Sequence, residues 1–304
     1  MGGAASPRPR ASGLRWAEAL AGYVFILPTA LGFLVFIAGP LLAAIGLSFY
    51  DYDILSPPRF AGLANFESAL DDARLRVVYR NTLTYVVAWA LIDVLLALGL
   101  AVAINRPMKA ALRYLLRTAY FFPVLTSTAS VAIIWTFLYN TDLGIVNYYL
   151  SRTGLPKVPW LTSSAWAIWS IVILQVWKSV GFNFVLFVAG LQNIPRHLYE
   201  AASIDGAGGW ASFRWVTLPM LSSTMFFALI ISLINGFQIF DAAYIMTTGG
   251  PGDASRTVVM YIYENGFRFF RMGYASTVAL SLFLVILLLT VAQFRLGRSW
   301  VHYQ

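Results

Sequence analysis

A sparse set of polar side chains stands inside two long apolar stretches: Gln175, Lys178, Ser179 and Asn183 in one, Ser232, Asn235, Gln238 and Asp241 in the other. On a helix, Gln175, Lys178 and Ser179 share a face by their spacing of three and four, and Ser232, Asn235, Gln238 and Asp241 form a slowly turning stripe. Polar groups at membrane depth face a bundle interior or a water-filled cavity. Amides and hydroxyls placed there can bind a polar solute, which makes Gln175, Ser179, Asn183, Ser232, Asn235 and Gln238 candidate substrate contacts. The alternative is interhelical hydrogen bonding at roughly 0.6 to 2 kcal/mol each. An unpaired charge at this depth costs several kcal/mol, so Lys178 is expected to form a structural ion pair with Asp241 or with Asp93 of an earlier apolar stretch. Trp177, Phe182, Phe237 and Tyr244 lie beside these groups in sequence, and aromatic faces next to amides suit the apolar face and hydroxyls of a sugar ring.

Covalent chemistry finds no support. There is no Gly-x-x-x-x-Gly-Lys-Ser/Thr loop for nucleotide phosphates and no His-Glu-x-x-His helix, and the two histidines, His197 and His302, are far apart. A Gly-x-Ser-x-Gly elbow is also missing. Without cysteine there is neither a disulfide framework nor a thiolate site. No catalytic residue, metal site or bound cofactor is therefore assigned. The net charge of +8 is scattered between apolar runs rather than gathered on one domain, which argues against nucleic acid.

The elements that must position the polar set are membrane helices. A chain of 304 residues that is 59% apolar, 11% charged and of mean hydropathy +0.71 is an integral membrane protein. Crossing a hydrocarbon layer ~30 Å thick takes ~20 apolar residues. Six segments qualify: 22–48, 82–104, 118–139, 165–191, 218–244 and 274–294. Pro28 and Pro40 predict a kink in the first. Arg8, Arg10 and Arg15 precede an apolar run too long for a signal peptide's core, so an uncleaved first span is expected. Six spans put both termini on one side. The short loop with Arg106, Lys109, Arg113 and Arg117 and no acid assigns that side to the cytoplasm, although Arg74, Arg76 and Arg80 run against the trend. One polytopic domain (22–294) is expected, with cytoplasmic tails at 1–21 and 295–304. Gly249-Gly250-Pro251-Gly252 predicts a turn in the last outer loop.

Between the fourth and fifth spans lies a polar loop, 192–217. Pro195 can open a helix there. Leu198, Ala201, Ala202 and Asp205 recur at helical spacing. Gly206, Gly208 and Gly209 supply a stop and a bend, and a second short helix is expected from Trp210 to Thr217. The loop is either an amphipathic segment at the membrane interface or a short helix fitted to another protein's groove, with Glu200 offering a carboxylate to a partner's arginine.

Glu200-Ala201-Ala202, Gly206, Val216 and Leu218-Pro219 resemble the signature loop of permease subunits of binding-protein-dependent ABC importers, with Val216 where the pattern usually has Ile. The run from Phe237 to Asp241 with Tyr244, Met246-Thr247 and Gly249-Gly250-Pro251 is similar to the carbohydrate-uptake branch, which includes a maltose-transporter permease. Phe60 to Phe66, Arg117 to Pro123, Pro159-Trp160-Leu161 and Arg271 to Ser276 extend the likeness over most of the chain. The resemblance implies an all-α membrane fold, that of a type I importer with a cytoplasmic coupling helix. Glu200, Ala201, Ala202, Asp205, Gly206, Leu218 and Pro219 would carry ATPase coupling. The implied partners are a second permease subunit, two ATPase subunits that use ATP and Mg, and an external solute-binding protein delivering a sugar, all at the inner or plasma membrane of a prokaryote. Gln293-Phe294-Arg295 followed by Tyr303-Gln304 is also similar to glycerol-3-phosphate permeases, so a phosphate ester or related phosphodiester is the alternative solute, with Lys178 as the only intramembrane cation. A self-sufficient secondary carrier would more often show internal repeats, and none is seen.

Overall fold

The computed structural model describes residues 11–299; Arg8, Arg10, His302, Tyr303 and Gln304 lie outside them. Helix α1 (Ala11–Phe33) continues through a π-helical turn, Leu34–Ala38, into α2 (Gly39–Leu47). The wide turn stands just ahead of Pro40, which has no N–H to donate and whose ring would strike the carbonyl four residues back. The irregularity expected of the prolines thus belongs to Pro40, while α1 continues through Pro28. A short antiparallel pair, β1 (Tyr50–Asp51) and β2 (Arg59–Phe60), with Tyr50 opposite Phe60, leads to α3 (Ala64–Asp71).

Helix α4 (Ala73–Ile104) begins before residue 82 because Asp72 caps it. One Asp72 oxygen accepts from the Arg74 and Leu75 backbone N–H groups at 2.8 and 3.1 Å. The other accepts from the hydroxyls of Tyr261 and Tyr274 at 2.6 and 2.5 Å.

The expected third span is two helices, α5 (Ala110–Phe121) and α6 (Thr128–Leu138), bent by 101° around a 3-10 turn, Phe122–Leu125. Pro123 sits in that turn, and Thr126 and Ser127 are extended, so the helical ladder is interrupted over several residues. After α7 (Ile145–Arg152) and α8 (Ala167–Gln192) come α9 (Arg196–Ile204), α10 (Gly209–Ser212), a π turn over Phe213–Thr217 and α11 (Leu218–Met220). The π turn again stands just ahead of a proline, Pro219, with Leu218 between them.

A 64° bend at Leu221 leads into α12 (Ser222–Phe237). The expected fifth span to residue 244 is corrected: α12 stops at Phe237, and α13 (Asp241–Thr247) starts anew. Four described helices are long and apolar enough to cross a membrane, or six if each bent pair is one span, which agrees with the sequence expectation. The last is α15 (Met272–Gly297), which follows α14 (Val258–Tyr263) and a π turn over Glu264–Arg268.

Helix α4 is the central post. Its buried residues, from Leu75 through Val78, Thr82, Tyr85, Val86, Trp89, Asp93, Val94, Ala97 and Ala101 to Ile104, recur at steps of mostly three and four, one face packed on α8 and α12. Two apolar clusters divide along it. Val78, Tyr85 and Trp89 pack with Ile171, Leu174, Phe237 and Val258 in one; Ala97, Leu98 and Ala101 pack with Phe184, Phe187, Leu191 and Leu221 in the other. Asp93 stands at the division.

The segment after the Gly249 to Gly252 turn is fastened to the start of α4. Asp253 accepts from Arg74 Nε and Nη2 at 2.8 and 2.9 Å and from Arg256 Nε at 2.5 Å; Arg256 also pairs with buried Glu264. Asn81 donates to the Asp253 carbonyl at 2.5 Å, and the Val258 N–H donates to Thr82 Oγ1 at 3.0 Å.

Two predictions follow from packing and charge. A Cβ at Gly181 would lie 2.1 Å from the Tyr120 carbonyl oxygen, a backbone atom that cannot swing aside, whereas one at Gly99 would meet nothing within 4 Å. Gly181→Ala should therefore cost about 1–3 kcal/mol or more of folded stability, and Gly99→Ala should leave it unchanged or raise it by under about 1 kcal/mol; thermal unfolding in detergent compares them. The hydrogen bond from Arg74, with help from Arg256 and against some desolvation, holds the Asp253 carboxyl below its ordinary value of 3.8. A depressed carboxyl stabilises the fold above its unfolded pKa, and that contribution is lost as pH falls below about 4 through the folded value. The effect is modest because the Arg74 side chain is 42% exposed. Asp253→Asn should remove this part of the acid sensitivity, measured as local hydrogen exchange at residues 251–258.

Candidate functional site

Three helices bring the polar set together. Ser179 and Asn183, four apart on α8, both face α4 and close on Asp93, which is fully buried. Ser179 Oγ donates to Asp93 Oδ1 and Asn183 Nδ2 to Asp93 Oδ2, each at 2.6 Å. The Asn183 amide also donates to Ser232 Oγ of α12 at 3.1 Å, and the Trp89 indole N–H donates to Ser179 Oγ at 3.0 Å. Asn183 Oδ1, buried, has no hydrogen-bond partner among the described residues.

This cluster walls a cavity of about 230 Å³ whose lining includes Gln175, Lys178, Ser179, Asn183, Ser232 and Asn235. A second cavity of about 150 Å³ adjoins it, sharing Gln175 and Asn235 and adding Tyr85, Gln238 and Asp241. All six residues expected to contact solute thus line one or other of two neighbouring polar cavities.

The expected ion pair is not closed to contact distance, although the Asp241 charge still attracts Lys178 across the gap. Among the described residues, no ion pair within 4.0 Å joins Lys178 to Asp93 or Asp241. Lys178 is one residue, about 100° of helix rotation, from Ser179, so it lines the same cavity without reaching the Asp93 carboxylate. Asp241 lies beyond the break after Phe237, off the stripe expected of a continuous helix.

The aromatic expectation is corrected in part. Phe182 lines the larger cavity, but Phe237 is buried in a core cluster, Trp177 lies on an apolar groove against Trp135, and Tyr244 stacks on Phe240. Phe240 lines the smaller cavity, and behind the two cavities stand buried Trp89 and Tyr85, stacked with ring centroids 6.0 Å apart. Their sequence signal was the spacing of four from Asp93 to Trp89 and again to Tyr85, within a stretch read only as apolar.

At the other end of the molecule α9 projects from the bundle. Pro195 stands at its N-cap in extended conformation, and Gly206, at φ +79°, ends it. The Ala207 N–H reaches the Ala202 carbonyl at 2.9 Å and the Gly206 N–H the Ser203 carbonyl at 3.1 Å, the paired bonds of a glycine-terminated helix. The expected second helix, Trp210 to Thr217, is observed as α10 and its π turn. Tyr199 ties the two parts through a 3.0 Å hydrogen bond between its hydroxyl and that of Thr217. Glu200, Ala201 and Asp205 are exposed, as are Ile204 (87%), Trp210 (74%) and Trp215 (73%), while Ala202, Leu218 and Pro219 are half-buried. Exposed apolar and acidic groups thus stand side by side on α9 and the segment after it, a pattern that suits either a protein partner or the membrane interface.

Comparison with known proteins gives the family and the fold. Residues 75–302 match the family described as binding-protein-dependent transport system inner membrane component. The chain is 36% identical over 290 residues to a probable ABC transporter permease, YesP of Bacillus subtilis strain 168, covering 94% of this chain and 93% of that one. It is 33% identical over 290 residues to the arabinooligosaccharide transport system permease AraP of the same organism, covering 94% and 91%. A bacterial alginate ABC transporter, solved in complex with an alginate pentasaccharide-bound periplasmic protein, contains a chain of like fold at a TM-score of 0.83 and 24% identity, covering 95% of this chain and 98% of that one.

Because Lys178 is held by no ion pair, Lys178→Met should leave the folded yield unchanged or higher, where breaking a buried pair would cost about 3–5 kcal/mol. The yield of monodisperse protein relative to the parent is the check; a collapse in yield would restore the ion pair.

Proposed function

The chain belongs to the family of binding-protein-dependent transport system inner membrane components, and from that premise we propose that it forms half of the translocation path of an ATP-driven importer for a mono- or oligosaccharide delivered by an external binding protein. It is a transport subunit, not an enzyme. The observation that carries the sugar reading is the convergence of Gln175, Ser179, Asn183, Ser232, Asn235 and Gln238 on two adjoining cavities that also carry Phe182 and Phe240. Amides and hydroxyls there can exchange hydrogen bonds with a sugar's hydroxyls while aromatic faces take its C–H surface.

In this reading the end carrying α9 is cytoplasmic and the end carrying Asp253 is external, both termini lie inside, and a second permease subunit completes the path. Two ATPase subunits use ATP and Mg and grip α9, with Glu200 offered to a basic side chain and Ile204 to an apolar pocket. The connections explain how a push would travel. Helix α9 follows directly from α8, and through Tyr199, Thr217 and α11 it is joined to α12. Both α8 and α12 carry cavity residues, Asn183 and Ser232 among them. A displacement of α9 therefore moves two walls of the cavity, a rigid-body route to alternating access.

Glu200→Ala and Gly206→Asp should leave the protein inserted but lower solute uptake and ATPase association, the second more strongly because φ +79° disfavours a residue with a Cβ. Membrane yield, co-purification of ATPase subunits and uptake into proteoliposomes are the readouts; normal uptake by both variants would remove the coupling role.

A further inference from the structure

The hydrogen bonds around Asp93 say which kind of solute the cavity accepts. Asp93 stands at 0% exposure between two apolar clusters, and each of its oxygens already accepts a bond, one from Ser179 and one from Asn183. These bonds consume nearby donors. The single Ser179 hydroxyl proton is shared between Asp93 and the Gln175 carbonyl, the Asn183 amide serves Asp93 and Ser232, and the Trp89 N–H serves Ser179.

What is left unsatisfied along this wall is acceptor capacity. Asn183 Oδ1 is buried and unpartnered among the described residues, and carboxylate oxygens have further lone pairs. A hydroxyl can satisfy such acceptors by donating, whereas a carboxylate, sulfonate or phosphate brings only acceptors. Charge points the same way. Asp93 on the larger cavity and Asp241 on the adjoining one outnumber the single ammonium of Lys178. The side-chain amides of Gln175, Asn235 and Gln238 are uncharged and can serve a hydroxyl in either direction.

We propose that Asp93 is a specificity-determining positioning residue: by occupying the donors of Ser179 and Asn183 it leaves an acceptor-rich, negatively biased wall that admits a neutral polyhydroxylated solute and rejects an anionic one of the same size. This rests on the import reading above. It selects the neutral sugar over the phosphate ester as cargo, and it gives Asp93 a role other than pairing with Lys178.

The test is equilibrium binding of two radiolabelled trisaccharides, one neutral and one built of uronic acids, to the assembled permease and ATPase complex in nanodiscs. The external binding protein is omitted so that its own preference does not enter. The wild-type complex should favour the neutral sugar by about tenfold or more, the scale of one like charge removed from a partly desolvated site. Asp93→Asn should bring the ratio close to one, and Asp93→Glu should preserve it. A residue that only held helices together would change the amount of assembled complex and leave the ratio alone. Equal or tighter binding of the uronic acid sugar by the wild-type complex overturns the charge rule without recourse to a variant. A ratio unchanged in Asp93→Asn overturns the assignment to Asp93. Either failure, in a complex that still assembles with its ATPases and hydrolyses ATP, leaves the import reading standing.

Discussion

A carboxylate buried at the middle of a membrane helix is the constraint on which this structure turns. Asp93 costs several kcal/mol to bury unless its oxygens are satisfied, and the groups that satisfy it come from α8. That requirement fixes the rotation of α8 against α4, with Ser179 and Asn183 facing inward, and Asn183 reaches on to Ser232 of α12. Three helices are thereby registered by one polar layer between two apolar clusters. The same residues form the wall of a cavity, so in the proposed function helix packing and solute recognition draw on one set of hydrogen bonds. Close approach of backbone at Gly181, two residues from both Ser179 and Asn183, lets α8 settle against the chain at Tyr120.

Much of this was legible in the sequence. Apolar length marked six crossings, Pro195 and Gly206 bounded the short helix with Glu200, and the spacing of three and four on α8 placed Gln175 and Ser179 together. What escaped had physical causes. Apolar length cannot distinguish a straight helix from one interrupted by Pro123 or stopped at Phe237, because the mean over ~20 residues stays apolar across each break, even with Gln238 and Asp241 beyond the second. Asp241 was therefore placed on a stripe that the chain does not continue. Charge pairing was the wrong rule for Asp93, since neutral donors one helical turn apart satisfied it more directly than Lys178 could. Trp89 and Tyr85 were hidden in a run whose apolar character explained them well enough without a cavity.

The two ends of the bundle are built differently, and the difference suits their proposed roles. Around Asp253, Arg74, Arg256 and Glu264 a lattice of ion pairs and backbone bonds fastens α14 to the first turns of α4. Around Glu200 the Tyr199 to Thr217 bond and half-buried side chains such as Leu198 hold α9 to its neighbours, and Ile204, Trp210 and Trp215 stand in the open. A rigid end and a loosely held, partner-seeking end are what a lever needs. Two of the three described π turns, Leu34–Ala38 and Phe213–Thr217, end two residues before a proline, and the second lies between α10 and the 64° bend that leads to the cavity helix α12.

The most direct measurement is a cryo-electron microscopy structure of the assembled complex with its solute trapped during turnover. The account predicts sugar density within hydrogen-bonding distance of Asn183 Oδ1 and the Gln175 amide, at the level of Asp93, with α9 seated in an ATPase subunit. Sugar density confined to the apolar groove beside Tyr120, or an α9 that touches no ATPase, would contradict it.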